Sequence, residues 1–317
     1  MQIDKDTQIL IDERLKNNAP ALESFTPQEL RALRAKMAET PLELRVDISD
    51  VQDLSVKGTL GDIPIRKYFN SSTSDPKHKT SPLIIYFHGG GFVMGDLESH
   101  DLVCRHLCKE AKATVIAVDY KLAPEHKFPT PVIETKDAIT KIFERAEEFN
   151  FDPNKVILCG DSAGGTLATV GTIMSRDNVI PKVHGQILVY PWVDMTMCRR
   201  SMDIDLEGMI LNKKTIKYFA DHYLNNTQEQ VDWRASPLLT ADLSNLPPTY
   251  IYGAGLDPLV DEGDAYKRRL LSFGNEVHYR LFPGQMHAFL SNSVQLPTSL
   301  ICIKEMGKAA QTIFSKL

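Results

Sequence analysis

From residue 82 onward, short and nearly unbroken apolar runs alternate with longer amphipathic stretches, and this rhythm restricts the fold more than any other feature of the 317-residue chain. The runs lie at 83–87, 114–118, 156–160, 186–190, 249–253 and 277–282. Short continuous apolar runs mark strands buried on both faces. Helical patterns at about 98–111, 131–148, 163–176, 262–273 and 299–315 separate most of them. Strands alternating with helices argue an α/β fold, with a parallel sheet covered by helices on both faces.

Two regions depart from the rhythm. The first 40 residues read as amphipathic helix. Thr26-Pro27-Gln28-Glu29 is a helix start, with a capping Thr, Pro at the first helical position and Glu at the third; Leu30, Leu33 and Met37 follow at helical spacing. Their apolar stripe needs a partner surface, so the segment is expected to lie over the main domain as part of a lid. Residues 42–48 and 63–69 alternate apolar and polar, with Gly61-Asp62 in the connection, which predicts antiparallel strands; 70–81 reads as an exposed loop. The second departure is the stretch of nearly 60 residues between the runs at 186–190 and 249–253. A plain crossover needs far fewer, so this is an insertion. It carries Trp192, Met195, Met197, Met202, Met209, Tyr218, Phe219 and Tyr223 and is read as the second part of the lid. The expected division is 1–45 and 192–235 for the lid, and 46–191 with 236–317 for the main domain.

The chemistry sits at strand ends. Gly160-Asp161-Ser162-Ala163-Gly164 follows a strand and opens a helix. That turn exposes the Ser162 hydroxyl, and the small residues flanking it let the backbones approach. The helix starts at the serine, so its free N–H groups face a developing anion. His88-Gly89-Gly90-Gly91-Phe92 follows another strand. Successive glycines suit a backbone that must come close to a ligand, and preorganised N–H donors there stabilise an oxyanion. Gly89, Gly90 and Gly91 with Ala163 form the candidate oxyanion hole, Gly90, Gly91 and Ala163 being the expected donors. A triad also needs a carboxylate and then a histidine after the serine. Asp257 directly follows the run at 249–253; Asp261, Glu262 and Asp264 are rivals within the next helix, where the helix dipole already accounts for acidic residues. His287 lies after the last run and suits a general base. His88 belongs to the glycine loop and His278 to a strand. His78, His100, His106 and His222 read as solvated or structural, and His126 and His184 precede Asp257.

Composition excludes other classes. Lys and Arg total 36 against 41 Asp and Glu, a net charge of −5, so no basic excess is available for nucleic acid. Charged residues interrupt the N-terminus, and no run approaches the ~20 apolar residues that span a bilayer. No secretory signal or transmembrane segment is read, and a cytoplasmic setting is expected. The five cysteines, Cys104, Cys108, Cys159, Cys198 and Cys302, are irregularly spaced and read as buried small hydrophobes rather than metal ligands or a disulfide framework.

Together these residues resemble the hormone-sensitive-lipase-like family of α/β-hydrolases. The likeness rests on His-Gly-Gly-Gly-Phe at 88–92, Gly-Asp-Ser-Ala-Gly-Gly at 160–165, Asp-Pro-Leu at 257–259, His-Ala-Phe at 287–289 and Asp119-Tyr120-Lys121-Leu122-Ala123-Pro124-Glu125. It implies an eight-stranded, mostly parallel sheet, a helical cap in two segments, short- to medium-chain acyl esters as substrates, and no metal or organic cofactor. The partner it implies is a small-molecule ester, with a homodimer as the assembly to test. Amides, formamides and acetylated sugars are alternative substrates on the same triad, and a small-molecule receptor is the non-catalytic alternative.

Overall fold

The apolar runs become the strands of one eight-stranded sheet in the computed structural model, which describes residues 2–37, 45–71, 80–292 and 296–317. The strands are β1 (Asp50–Gly58), β2 (Gly61–Phe69), β3 (Ser81–Phe87), β4 (Thr114–Val118), β5 (Phe151–Asp161), β6 (Gln186–Val189), β7 (Thr249–Leu256) and β8 (Val277–Met286). Their order is β1-β2-β4-β3-β5-β6-β7-β8. The pairs from β4 through β8 are parallel, and β2 joins β1 and β4 antiparallel.

The helices are α1 (Lys5–Lys16), α2 (Pro27–Met37), α3 (Asp101–Ala111), α4 (Thr130–Glu144), the short α5 (Ala146–Phe149), α6 (Ala163–Arg176), α7 (Lys213–Tyr223), α8 (Val260–Ser272) and α9 (Pro297–Ser315). Strand side chains alternate between faces, and each face has its own core. Leu83, Ile85 and Phe87 of β3 pack with Ile139 of α4, Leu167 of α6 and Tyr266 of α8. Ile84 and Tyr86 point the other way, to Cys104 and Leu107 of α3 and Ile303 and Met306 of α9. Four cysteines are buried as expected, but Cys198, on the insertion, is exposed.

The antiparallel edge differs from the expected one. Residues 42–44 lie outside the described residues, and 45–48 form no strand; the first strand is β1. It is an edge strand whose side chains are mostly exposed, so Asp50, Gln52, Asp53, Ser55 and Lys57 hide it from a hydrophobic reading. Backbone pairing with β2 holds it, and Gly61-Asp62 open β2 rather than bridging to it, because Gly58 already pairs with Gly61. Most of the loop expected at 70–81 falls outside the described residues, and Ser81 begins β3.

Two topological facts position the site. From β3 the chain steps to β4 on one side and then to β5 on the other, and such a reversal leaves a crevice beyond the carboxyl ends of the strands. Second, β7 and β8 run further than their apolar cores, to Leu256 and Met286, which pair beyond a shift of register after Ala254. Asp257 and His287 therefore leave the sheet side by side.

Candidate active site

Ser162 is the hinge between β5 and α6, with φ 53° and ψ −119°. A non-glycine residue in this region is strained and persists only where its surroundings hold it. Here the Ser162 N–H donates to Val189 O (2.9 Å), and the Ser162 carbonyl accepts from Trp192 N–H (3.1 Å). The flanking glycines are required by contact: a Cβ on Gly164 would run into the Phe87 carbonyl, and one on Gly160 into the backbone of Gly164.

His287 bridges the other two residues. Its Nδ1 lies 2.7 Å from Asp257 Oδ2, and its Nε2 lies 2.9 Å from Ser162 Oγ. An ionised carboxylate only accepts, so Nδ1 carries the proton and Nε2 is left to accept the Ser162 hydroxyl. Asp257 is fully buried, and its second oxygen accepts the Leu259 N–H (2.9 Å). The Tyr190 ring packs against the imidazole with centroids 4.5 Å apart. The rival carboxylates are engaged elsewhere. Asp261 accepts from Ser201 N–H (2.9 Å), Asp264 pairs with Lys267 and Arg268, and Glu262 accepts the N–H groups of Val193 and Asp194 at 2.6 and 2.7 Å.

The glycine loop leaves β3 beside this turn, Phe87 pairing in register with Gly160. Gly90 and Gly91 have φ of 128° and 61°. Their N–H groups meet no protein acceptor among the described residues, and Ala163 contributes a first-turn N–H with no partner within its helix. Gly89 differs from its neighbours: its N–H donates to Asp161 Oδ1 (2.9 Å), so it fixes the loop rather than facing the crevice. The same carboxylate accepts the Tyr86 hydroxyl (2.7 Å) and has His100 Nε2 at 3.3 Å. Burial alone pushes the Asp161 carboxyl up, but His100, the Tyr86 hydrogen bond and His88 together outweigh it and leave it below the usual carboxylate range.

These groups open into a cavity of about 390 Å³. The glycine loop, Ser162 and His287 form one part of its wall. The rest comes from α1, α2 and α7 with their connections, including Leu10, Phe25, Leu30, Leu211, Ile216 and Phe219. The helix start predicted at Thr26 is present: Thr26 N–H donates to Glu29 Oε2 (2.8 Å) and Glu29 N–H to Thr26 Oγ1 (3.3 Å). Asn212 caps α7 by accepting from Lys214 N–H and Thr215 N–H. The two covering segments also bind each other, Tyr218 Oη donating to Phe25 O (3.0 Å) and Thr215 Oγ1 to Glu23 Oε2 (2.7 Å). Tyr223 of α7 stacks on Phe92 of the glycine loop at 3.9 Å.

A sequence profile described as alpha/beta hydrolase fold matches residues 84–291. The chain belongs to the α/β-hydrolase family.

Among other α/β-hydrolases, this one is 40% identical to the carboxylic ester hydrolase LipN of Mycobacterium tuberculosis, over 76% of this chain and 65% of LipN. It is 33% identical to an arylesterase of Saccharolobus solfataricus, over 84% of this chain and 87% of that one. An ester-hydrolase from the metagenome of Lake Arreo, solved with a derivative of bipyridine phosphonate, superposes with a TM-score of 0.91 at 32% identity, covering 99% of this chain and 100% of that one. The structure brings together the serine, aspartate and histidine that the sequence singles out in this α/β-hydrolase, and adds a support beneath the turn that the sequence reading missed. Asp161 was only the variable position of a motif, and Tyr86 only one residue of an apolar run. A tyrosine in a strand buried on both faces was the available signal, since a buried phenol usually finds a partner. Among the described residues no helix is long and apolar enough to cross a membrane.

Proposed function

We propose that Ser162 is the nucleophile, His287 the general base and acid, and Asp257 the group that orients and stabilises the imidazolium. The protein is a serine carboxylesterase on this reading. Ser162 Oγ attacks the ester carbonyl carbon as its proton passes to His287 Nε2. The carbonyl oxygen becomes an anion facing the N–H groups of Gly90, Gly91 and Ala163. The carbon–oxygen bond to the alcohol breaks, and the alcohol leaves with the proton from His287. Water then attacks the acyl-enzyme, giving its proton to His287, and the acid departs as Ser162 is reprotonated.

The observation that carries this reading is the unbroken hydrogen-bonded series Ser162–His287–Asp257 at the wall of the cavity. The names of the relatives, a carboxylic ester hydrolase and an arylesterase, support an ester as the bond cleaved. A largely apolar cavity of about 390 Å³ supports short- to medium-chain acyl groups. We divide the chain into a cap, residues 1–45 and 192–235, and a catalytic domain, 46–191 and 236–317; the joint lining of the cavity supports the division. A homodimer and a cytoplasmic setting belong to the same proposal, to be tested by light scattering and cell fractionation.

The test is a p-nitrophenyl ester series from acetate to palmitate, run with wild type and Ser162→Ala. Turnover that peaks at short or medium chains and vanishes in a folded Ser162→Ala protein is expected. Full activity in that variant would overturn the assignment.

A further inference from the structure

Arg31 and Arg34 stand one turn apart on α2, and their surroundings differ. Arg31 is fully engaged: Nε donates to Val93 O (2.8 Å), Nη2 to Ala123 O (2.6 Å), and the guanidinium pairs with Glu125 (2.7 Å). It anchors α2 to the catalytic domain. Arg34 shares the cavity wall with Leu30 and Leu33 of the same helix, and with Ser162 and His287. Among the described residues it makes no hydrogen bond and no ion pair. Asp161 and Asp96 stabilise its charge only from a distance, and burial lowers its pKa from the ordinary arginine value. Glu13, on the cavity wall from α1, forms no ion pair with it. Arg14, the other arginine of the wall, has its Nε bonded to Gly208 O (3.0 Å), which ties α1 to the second covering segment.

A guanidinium carries five N–H donors in a planar fork that fits a carboxylate, and it keeps its charge at any working pH. Filling a mostly apolar cavity with a neutral acyl chain strips water from those donors and offers nothing in return. An anionic group on the substrate would meet them. We propose that Arg34 is an anion-binding residue of the substrate cavity, and that the preferred substrate is an ester bearing a carboxylate away from the scissile bond. This rests on the esterase reading above and narrows its substrate class.

Two matched pairs test it and separate the two sides of the ester. p-Nitrophenyl hydrogen adipate against p-nitrophenyl hexanoate puts the charge on the acyl side. 4-Carboxyphenyl butyrate against phenyl butyrate puts it on the alcohol side. In one pair the anionic member is expected to have the higher kcat/KM by about 10- to 100-fold, the size of a charge-assisted interaction. The gain should lie mainly in KM. Arg34→Gln should bring the ratio to near parity, and Arg34→Lys, a point charge without the fork, should keep part of it. A wild-type preference for the neutral member of both pairs overturns the proposal, whatever the variants do. So does an anion preference that survives Arg34→Gln.

Calorimetry of the four esters on the Ser162→Ala protein separates this proposal from the one beneath it. Turnover of neutral esters with no anion preference leaves the esterase standing and removes the role of Arg34. Arg34-dependent binding of an anionic ester, without turnover by wild type, keeps the anion site and removes the esterase.

Discussion

Tyr86 and Asp161 meet beneath the glycine loop, the phenol of β3 donating to the carboxylate at the end of β5 across 2.7 Å. Asp161 precedes Ser162 directly, and the same oxygen also holds Gly89 N–H at 2.9 Å. One buried carboxylate thus ties the glycine loop, the proposed source of oxyanion donors, to the turn that carries the proposed nucleophile.

Asp161→Asn keeps the shape and removes the charge. A charge-assisted hydrogen bond contributes about 1.5–3 kcal/mol, so a stability loss of about 2 kcal/mol is expected in urea denaturation, with a fall in kcat. The pH dependence has a definite sign. The folded carboxyl titrates below its ordinary value, so its contribution is present above the unfolded pKa and lost as pH falls through the folded one. Asp161→Asn should lack this acid-side loss.

Asp257→Asn tests the proposed orienting group. The amide has no charge to stabilise the imidazolium, and its NH₂ favours the wrong imidazole tautomer. By analogy with the corresponding change in a serine protease, kcat should fall about a thousand- to ten-thousand-fold, with KM little changed. A single-turnover assay with p-nitrophenyl butyrate reads the step directly. Near-normal acylation would return the role to one of the rival carboxylates.

His88 should make the fold acid-sensitive. Burial, reinforced by His100, pushes its imidazole down to about 4 from an ordinary 6.5. The folded protein therefore resists the proton that the unfolded chain accepts. Stability present above pH 6.5 is lost as pH falls toward 4, by about 3 kcal/mol in all. Asp119, whose carboxyl is pushed up to about 6 by burial and Asp96, works in the opposite direction over part of this range. The readout is thus the stability of wild type minus that of His88→Gln, which should fall by about 3 kcal/mol between pH 7 and pH 4. A flat difference would mean that the folded and unfolded chains take up the His88 proton alike.

Glu262 is fully buried on α8, and burial next to Asp194 pushes its carboxyl well up. One oxygen accepts the N–H groups of Val193 and Asp194, where the chain leaves the sheet for the covering segment; the other has no hydrogen-bond partner among the described residues. A neutral amide performs the same acceptance. Glu262→Gln should change stability by less than about 1 kcal/mol, whereas Glu262→Ala strands two buried donors and should cost about 2–4 kcal/mol in thermal denaturation. Equal losses would mean that the charge matters.

The sheet was legible because its signal is local. Five-residue runs such as Thr114–Val118 record burial on both faces wherever the rest of the chain goes. The serine turn was legible for the same reason, since the flanking glycines are required by contacts within a few residues of it and with the adjacent strand. β1 was not, because an exposed edge strand is held by backbone pairing, which leaves little trace in side-chain chemistry. The sequence by itself thus determined which residues turn at strand ends and in what order. Tertiary structure alone decided that β7 and β8 run on to the Leu256–Met286 pair, so that His287 reaches both Asp257 and a serine 125 positions away. It also decided that the Gly89 N–H is held while those of Gly90 and Gly91 meet no acceptor among the described residues, and that Arg34 faces the cavity while Arg31 is tied down. Periodicity and turn chemistry act over a few residues, and these outcomes depend on which distant surfaces the packed sheet and the segments covering it bring together.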